Sequence, residues 1–180
     1  MKPILAVLAA AALQAAPAPA DTAADNTRGF SMCKPPKSRE EWEIKSESGS
    51  LTIVHKVHPA AVVVSFATVI NANNFNTKNA AEDNWKGISA SGKYKDLKKK
   101  GVWQCRLPGG GAGGANTHRL DMTFTADDGN LMTWKVYHFN NRFTTDFYMV
   151  SVIGEAVATA KCAADLDAIL GSIRVFKPAK

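Results

Sequence analysis

The stretch RLDMTFTADDGNLMTWKVYHFNNRFTTDFYMVSVI, residues 119–153, decides the fold of this chain. In its first part, residues 120–126, apolar and polar side chains alternate; the apolar members are Leu120, Met122, Phe124 and Ala126. Successive side chains of a strand point to opposite faces, so a period of two predicts a half-buried strand.

A turn and two further strands follow. Residues 127–130 read Asp-Asp-Gly-Asn, in which Asp-Gly tolerates the positive φ of tight hairpins and Asp and Asn can bond their own backbone. Residues 131–139 and 146–153 are strand-like runs with apolar side chains on both faces. Such strands are usually covered on both sides by helices or by a second layer. The stretch therefore predicts a meander of three antiparallel strands inside a covered sheet.

The rest of the chain extends this sheet. Alternation predicts that Trp42 and Ile44 point inward from one added strand. Trp85, Trp103 and Trp134 are also expected in the core, because each lies on a patterned apolar face. The added strands are expected over residues 29–33, 40–45, 51–57, 60–70, 102–107 and 173–176.

Two helices are expected. The first covers residues 80–91, and Asn79 with Glu82 three positions later has the pattern of a helix N-cap. The second covers residues 155–172. Its apolar stripe, at helical spacing, consists of Cys162, Leu166, Ile169, Leu170 and Ile173.

The first twenty residues predict a secretory signal peptide. Lys2 precedes an apolar run at residues 4–13, and Ala18-Pro19-Ala20 matches the small-x-small cleavage pattern. The run is shorter than the roughly 20 residues that a membrane span needs, and no later segment resembles a span. Residues 21–28, which are small and polar, are expected to be disordered. Residues 29–180 are expected to form one globular α+β domain in the bacterial periplasm.

The positive net charge is compatible with an anionic partner, and the alternative interpretation is that it serves solubility alone. The formal net charge is +6, and a basic surface favours an acidic protein or an anionic component of the cell envelope. Export makes nucleic acid a poor candidate. The densest positive run offers five candidate contacts, Lys93, Lys95, Lys98, Lys99 and Lys100. The alternative interpretation of this run is a solvated loop.

Three cysteines predict one disulfide and one free thiol in an oxidising compartment. Any of the three pairings of Cys33, Cys105 and Cys162 is open. Cys105 shares a face with Trp103, and Cys162 lies on the apolar stripe of the last helix, so the favoured pair is Cys105–Cys162. The alternative is that all three behave as small buried apolar residues.

Two binding motifs lack their structural context. Gly109, Gly111 and Gly114 spell G-x-G-x-x-G, but a strand follows them where a nucleotide site needs a helix N-terminus. His55 and His58 form H-x-x-H, whereas a zinc site needs three or four converging ligands. Three residues apart on a strand, they point to opposite faces unless the turn rotates one. We therefore predict no cofactor and no metal.

One catalytic pair is conceivable from the sequence. His138 and Asp146 lie on neighbouring predicted strands. Neither a G-x-S-x-G motif nor a cysteine in a nucleophile context accompanies them. The prediction is a protein that is not an enzyme, with a small hydrolase using His138 and Asp146 as the alternative.

The order of elements resembles a known fold family. The predicted domain begins with a Gly-Phe-Ser-Met strand at residues 29–32, and its last helix ends in Ile-Leu-Gly-Ser-Ile-Arg at residues 169–174. In these features it resembles the PsbP/Mog1-like α/β/α domains of small exported bacterial proteins. The resemblance implies a central antiparallel sheet with helices packed outside it. It implies an accessory, binding or chaperone-like role and no shared catalytic residues.

These observations favour an exported accessory domain that binds another protein. A second hypothesis of the same kind is an immunity or inhibitor protein that neutralises an exported toxin.

Overall fold

A computed structural model describes residues 20–47, 49–68, 76–107, 116–140, 143 and 146–178. In these residues ten strands form two antiparallel sheets, and three helices pack on the larger sheet. The predicted α+β class and the meander are confirmed.

The elements are numbered along the chain. The strands are β1 (Thr22–Asp25), β2 (Phe30–Cys33), β3 (Trp42–Glu47), β4 (Ser50–His55), β5 (Ala60–Thr68), β6 (Lys95–Cys105), β7 (Thr117–Thr125), β8 (Leu131–Asn140), β9 (Asp146–Glu155) and β10 (Arg174–Val175). The helices are α1 (Thr77–Ala90), α2 (Ala156–Lys161) and α3 (Ala163–Ser172).

The large sheet has the strand order β3-β4-β5-β9-β8-β7-β6. The meander β7-β8-β9 therefore lies between β6 on one side and β5 on the other. β5 pairs with β9 over nine residues, from Ala60 opposite Gly154 to Thr68 opposite Asp146. The small sheet has the order β1-β2-β10 and joins the two ends of the described chain.

The period-two pattern sends side chains to two separate cores. The α1 face of the large sheet carries Leu120, Met122 and Val136, which pack with Ala81 of α1. The opposite face, the α3 face, carries a larger apolar core that α2, α3 and the small sheet help to bury. Its fully buried members include Trp42, Ile53, Val62, Val150 and Ile169.

The predicted disorder of residues 21–28 is wrong for β1. Thr22–Asp25 pairs with β2, and Ala23 is buried. The backbone oxygen of Asp21 accepts a hydrogen bond from the Lys34 amide at 2.9 Å. The segment is ordered by a partner strand, which its own small polar composition does not reveal.

Both helix predictions need correction, the first at its start and the second in its middle. α1 begins three residues early, because Asn76 and not Asn79 is its N-cap: Asn76 Oδ1 accepts from the Lys78 amide at 2.8 Å. The second helix is interrupted at Cys162, which separates α2 from α3. The predicted apolar stripe survives the interruption, since Cys162, Leu166 and Ile169 are all buried.

Candidate binding face

The α3 face has an apolar half and a polar half. Across β6, β7 and β8 the register places Trp103 beside Arg119 and Arg119 beside Tyr137. The next row places Asp121 beside Lys135. We call the five residues Trp103, Arg119, Asp121, Lys135 and Tyr137 the binding face. On β9 the same rows continue into buried Val150 and Val152, where the apolar half begins.

Trp103 is the exposed aromatic residue of the binding face. Its side chain is 43% exposed, so its predicted place in the core is wrong. The ring lies over Gly101, where a Cβ would come within 2.5 Å of a ring carbon. The Arg119 guanidinium lies 5.4 Å from the centre of the ring. The indole is therefore held in place by a glycine below it and a cation beside it.

Arg119 connects the members of the binding face. Its Nε is 2.7 Å from Asp121 Oδ1, and its guanidinium carbon is 6.0 Å from the centre of the Tyr137 ring. Burial lowers the pKa of Arg119, but Asp121 and Tyr137 outweigh burial, so the net shift is upward. Burial also raises the pKa of the Tyr137 phenol, although Arg119 opposes that shift. At neutral pH the Arg119 cation therefore lies next to the protonated phenol of Tyr137, which is itself buried.

A groove adjoins the binding face between β8 and the helices α2 and α3, with a volume of about 280 Å³. Lys135 and Tyr137 line its sheet side. Ala156 and Ala160 of α2 and Ala163 of α3 line its helix side, and their short side chains leave the space open.

Four of the five lysines, all except Lys93, lie on the edge strand of the large sheet and not in a loop. Lys95–Cys105 forms β6, with register shifts between Lys95 and Lys98 and between Lys99 and Gly101. Lys99 pairs with Glu82 of α1 and approaches the Trp85 ring to 6.0 Å. Lysines and bulges on an edge strand discourage pairing with another chain. The run also includes exposed Lys93, Lys95, Lys98 and Lys100, whose contact with an anionic partner stays a prediction.

His55 and His58 form a turn structure. The turn rotates His58, so the two rings lie 4.8 Å apart, centre to centre. His55 Nδ1 accepts hydrogen bonds from the amides of Val57 at 3.1 Å and His58 at 3.0 Å. Across the ranges that the structure describes, no three His, Cys, Asp or Glu side chains are grouped to hold a metal ion.

The predicted hydrolase residue His138 is fully buried on the opposite, α1 face. Its Nε2 lies 3.0 Å from Asn84 Nδ2, and its ring stacks on Phe147. Burial lowers its pKa to about 4. The register pairs His138 with Met149. Asp146 begins β9, but its side chain lies outside the described residues, so the His138–Asp146 pair stays untested.

All three cysteines are free thiols in the structure, and the favoured Cys105–Cys162 bond is not formed. Cys105 lies on edge strand β6 beside Arg119, whereas Cys162 lies near Glu41, which leads into the opposite edge strand β3. Cysteines must approach to about 7 Å between Cα atoms to be bridged. Burial raises the pKa of both thiols, so neither is an activated nucleophile.

The G-x-G-x-x-G motif at Gly109, Gly111 and Gly114 lies outside the described residues. The predicted signal peptide, residues 1–20, also lies outside them except for Ala20. Among the helices that the structure describes, none combines the length and the apolar character that crossing a membrane requires.

Comparison with known proteins identifies the fold. No family model and no curated protein matches the chain. Among solved structures, the chain is similar to the cyanobacterial PsbP protein (CyanoP) of Synechocystis sp. PCC 6803, with a TM-score of 0.59 and 11% identity over 86% of this chain and 91% of that one. LpqN of Mycobacterium tuberculosis gives a TM-score of 0.57 and 11% identity over 81% and 82% of the two chains.

The Ran-binding protein Mog1p of Saccharomyces cerevisiae gives a TM-score of 0.53 and 9% identity, over 83% of this chain and 91% of its own. The chain therefore has a PsbP/Mog1-like fold, as its order of elements predicts. At these identities the likeness concerns the fold alone.

Proposed function

We propose that this chain is an exported, non-enzymatic accessory domain that binds another protein through the binding face. The observation that carries the proposal is the exposed Trp103 ring, fixed over Gly101 and stacked beside Arg119. Trp, Tyr and Arg are the residues enriched at the energetic centres of protein interfaces.

The geometry of the binding face supports this role. Trp103 is already oriented before any partner arrives, so little side-chain freedom remains to be lost on binding. Arg119 is already paired with Asp121, so the face does not present an isolated buried charge. A partner gains most by covering the exposed part of the indole.

Two features support a role outside catalysis. His138 is buried, and burial raises the pKa of the Cys105 and Cys162 thiols, so His138 is not an exposed general base and neither of these two thiols is an activated nucleophile. LpqN, which shares the fold, is described as involved in cell envelope biogenesis, and Mog1p as binding Ran. An inhibitor of an exported toxin would be the same kind of protein, and the identity of the partner decides between the two.

Site-specific photo-crosslinking tests the proposal. A photoreactive amino acid in place of Lys135, next to Asp121 on the binding face, is expected to give a discrete adduct with one protein in intact cells. The matched control replaces Val57, which is 80% exposed on the β4–β5 turn, and is expected to give none. Equal adducts from both positions, or none from position 135, would reject the binding face as the contact surface.

The export part of the proposal has its own test. Asp21 would be the first residue after cleavage, and its carboxylate lies 3.0 Å from Arg39 Nη1. Cleavage therefore leaves an N-terminus that is already anchored to the domain. Intact-mass analysis of the protein from a periplasmic fraction is expected to give the mass of residues 21–180, whereas the mass of the uncleaved chain would contradict the signal peptide.

A further inference from the structure

We propose that the groove between β8 and the helices α2 and α3 is a binding site for a small amphipathic monoanion, a carboxylate with an apolar tail. The groove shares Lys135 and Tyr137 with the binding face, but Trp103 does not line it. The groove has a volume of about 280 Å³, near the lower end of the roughly 300–1,000 Å³ that small-molecule sites occupy.

Lys135 supplies the cation. It lies on the sheet side of the groove and is exposed. The carboxylate directly opposite it in the register, Asp121, is engaged by Arg119 at 2.7 Å. Within the described ranges no carboxylate forms an ion pair with Lys135. Its ammonium group is thus available for a ligand, while the charge of the nearby Asp121 is balanced.

The helix side supplies the apolar wall. Ala160, Leu166 and Leu170 line the groove, with Val152 on the sheet. These side chains continue the buried core that contains Leu166 and Leu170. An alkyl tail placed there would replace water against apolar surface, which favours binding.

A second charged residue limits the net charge of the ligand and sets its orientation. Asp167 of α3 also lines the groove and is exposed. It repels a second carboxylate, so a dianion is disfavoured. The carboxylate of a monoanion is expected on the sheet side at Lys135, with the tail toward the helices.

An NMR titration of the ¹⁵N-labelled domain, residues 21–180, tests the site with octanoate as the probe and octan-1-ol as its uncharged match. Octanoate is expected to shift amide signals of β8, α2 and α3 and to bind roughly tenfold more tightly than octan-1-ol, because one charge-assisted hydrogen bond is gained. Lys135→Gln is expected to abolish this preference. Lys93→Gln, an exposed lysine outside the groove, should preserve it.

Ala160→Phe provides an independent variant, because it fills the groove without changing charge. It is expected to weaken both ligands at least tenfold. The proposal is overturned if octanoate produces no shifts in these elements, if octanoate and octan-1-ol bind equally to the unmodified domain, or if Lys135→Gln leaves the preference intact. The spectra themselves report whether each variant is folded.

Discussion

Lowering the pH from 7 to 4 is expected to remove about 3 kcal/mol from the free energy of unfolding through His138 alone. Its pKa is about 4 in the folded protein, because the ring is buried between Asn84 and Phe147, and about 6.5 in the unfolded chain. Between these values the unfolded state binds a proton that the folded state does not. The contribution of His138 to the free energy of unfolding is almost complete above pH 6.5. It decreases as the pH falls, and most of it is lost near pH 4.

Urea unfolding at a series of pH values, compared between the unmodified domain and His138→Gln, measures this effect. Since carboxylates titrate in the same range, the informative quantity is the difference between the two proteins. Val57→Ala, an exposed position whose side chain does not titrate, should keep the full pH dependence. If the free energy of unfolding varies with pH in the same way for the unmodified domain and His138→Gln, His138 does not cause the pH dependence.

Trp42→Ala is expected to lower the free energy of unfolding by about 4 kcal/mol, the usual range for a buried Trp being roughly 3–5 kcal/mol. Trp42 is fully buried, and its Nε1 donates to Asp165 Oδ2 at 3.2 Å. Its ring also makes a T-shaped contact with the ring of His55. The substitution leaves a cavity and loosens the link between β3 and the first turn of α3. Because a domain of this size is typically stable by about 5–15 kcal/mol, much of its stability would be lost.

Trp103→Ala is the matched control in the same urea measurement. Its ring is 43% exposed, so much less buried surface is removed than at the fully buried Trp42. We expect a loss of less than about 1 kcal/mol, in line with surface substitutions and an exposed cation–π contact. Similar losses for Trp42→Ala and Trp103→Ala would mean that the two indoles are not divided between core and surface as the structure has them.

Local patterns predict the centre of this fold well. The alternation around Leu120 and Met122 suffices to predict β7 and its buried face, because side-chain period and burial are both local properties of a strand. The inward position of Trp42 follows from the same rule and is confirmed. The fold-level resemblance rests on the order of such elements, which is why it holds at about 10% identity.

Features that depend on distant partners could not be predicted in this way. β1 exists because β2 pairs with it, and β10 pairs with β2 from the other end of the chain. Trp103 has an apolar pattern around it, yet its face remains open. Whether a strand face is covered is decided by the placement of α2 and α3, which the local sequence of β6 does not contain.

One feature of the binding face can be found in the sequence. Arg119 and Asp121 are two residues apart on a strand, so they share a face with each other and not with Leu120. A charged pair on one strand face is ordinarily read as solvent exposure. Only the register across β6, β7 and β8 shows that Trp103 and Tyr137 flank the same pair.

We expect Trp103 to make the energetically dominant contact with a partner protein. The most direct measurement is the affinity of the partner, identified by the adduct at position 135, for the unmodified domain, Trp103→Ala and Val57→Ala. Loss of a dominant interface Trp costs about 2 kcal/mol or more, so Trp103→Ala is expected to weaken binding at least about 30-fold. Val57→Ala should leave the affinity unchanged. Equal affinities for Trp103→Ala and the unmodified domain would show that Trp103 does not make the dominant contact.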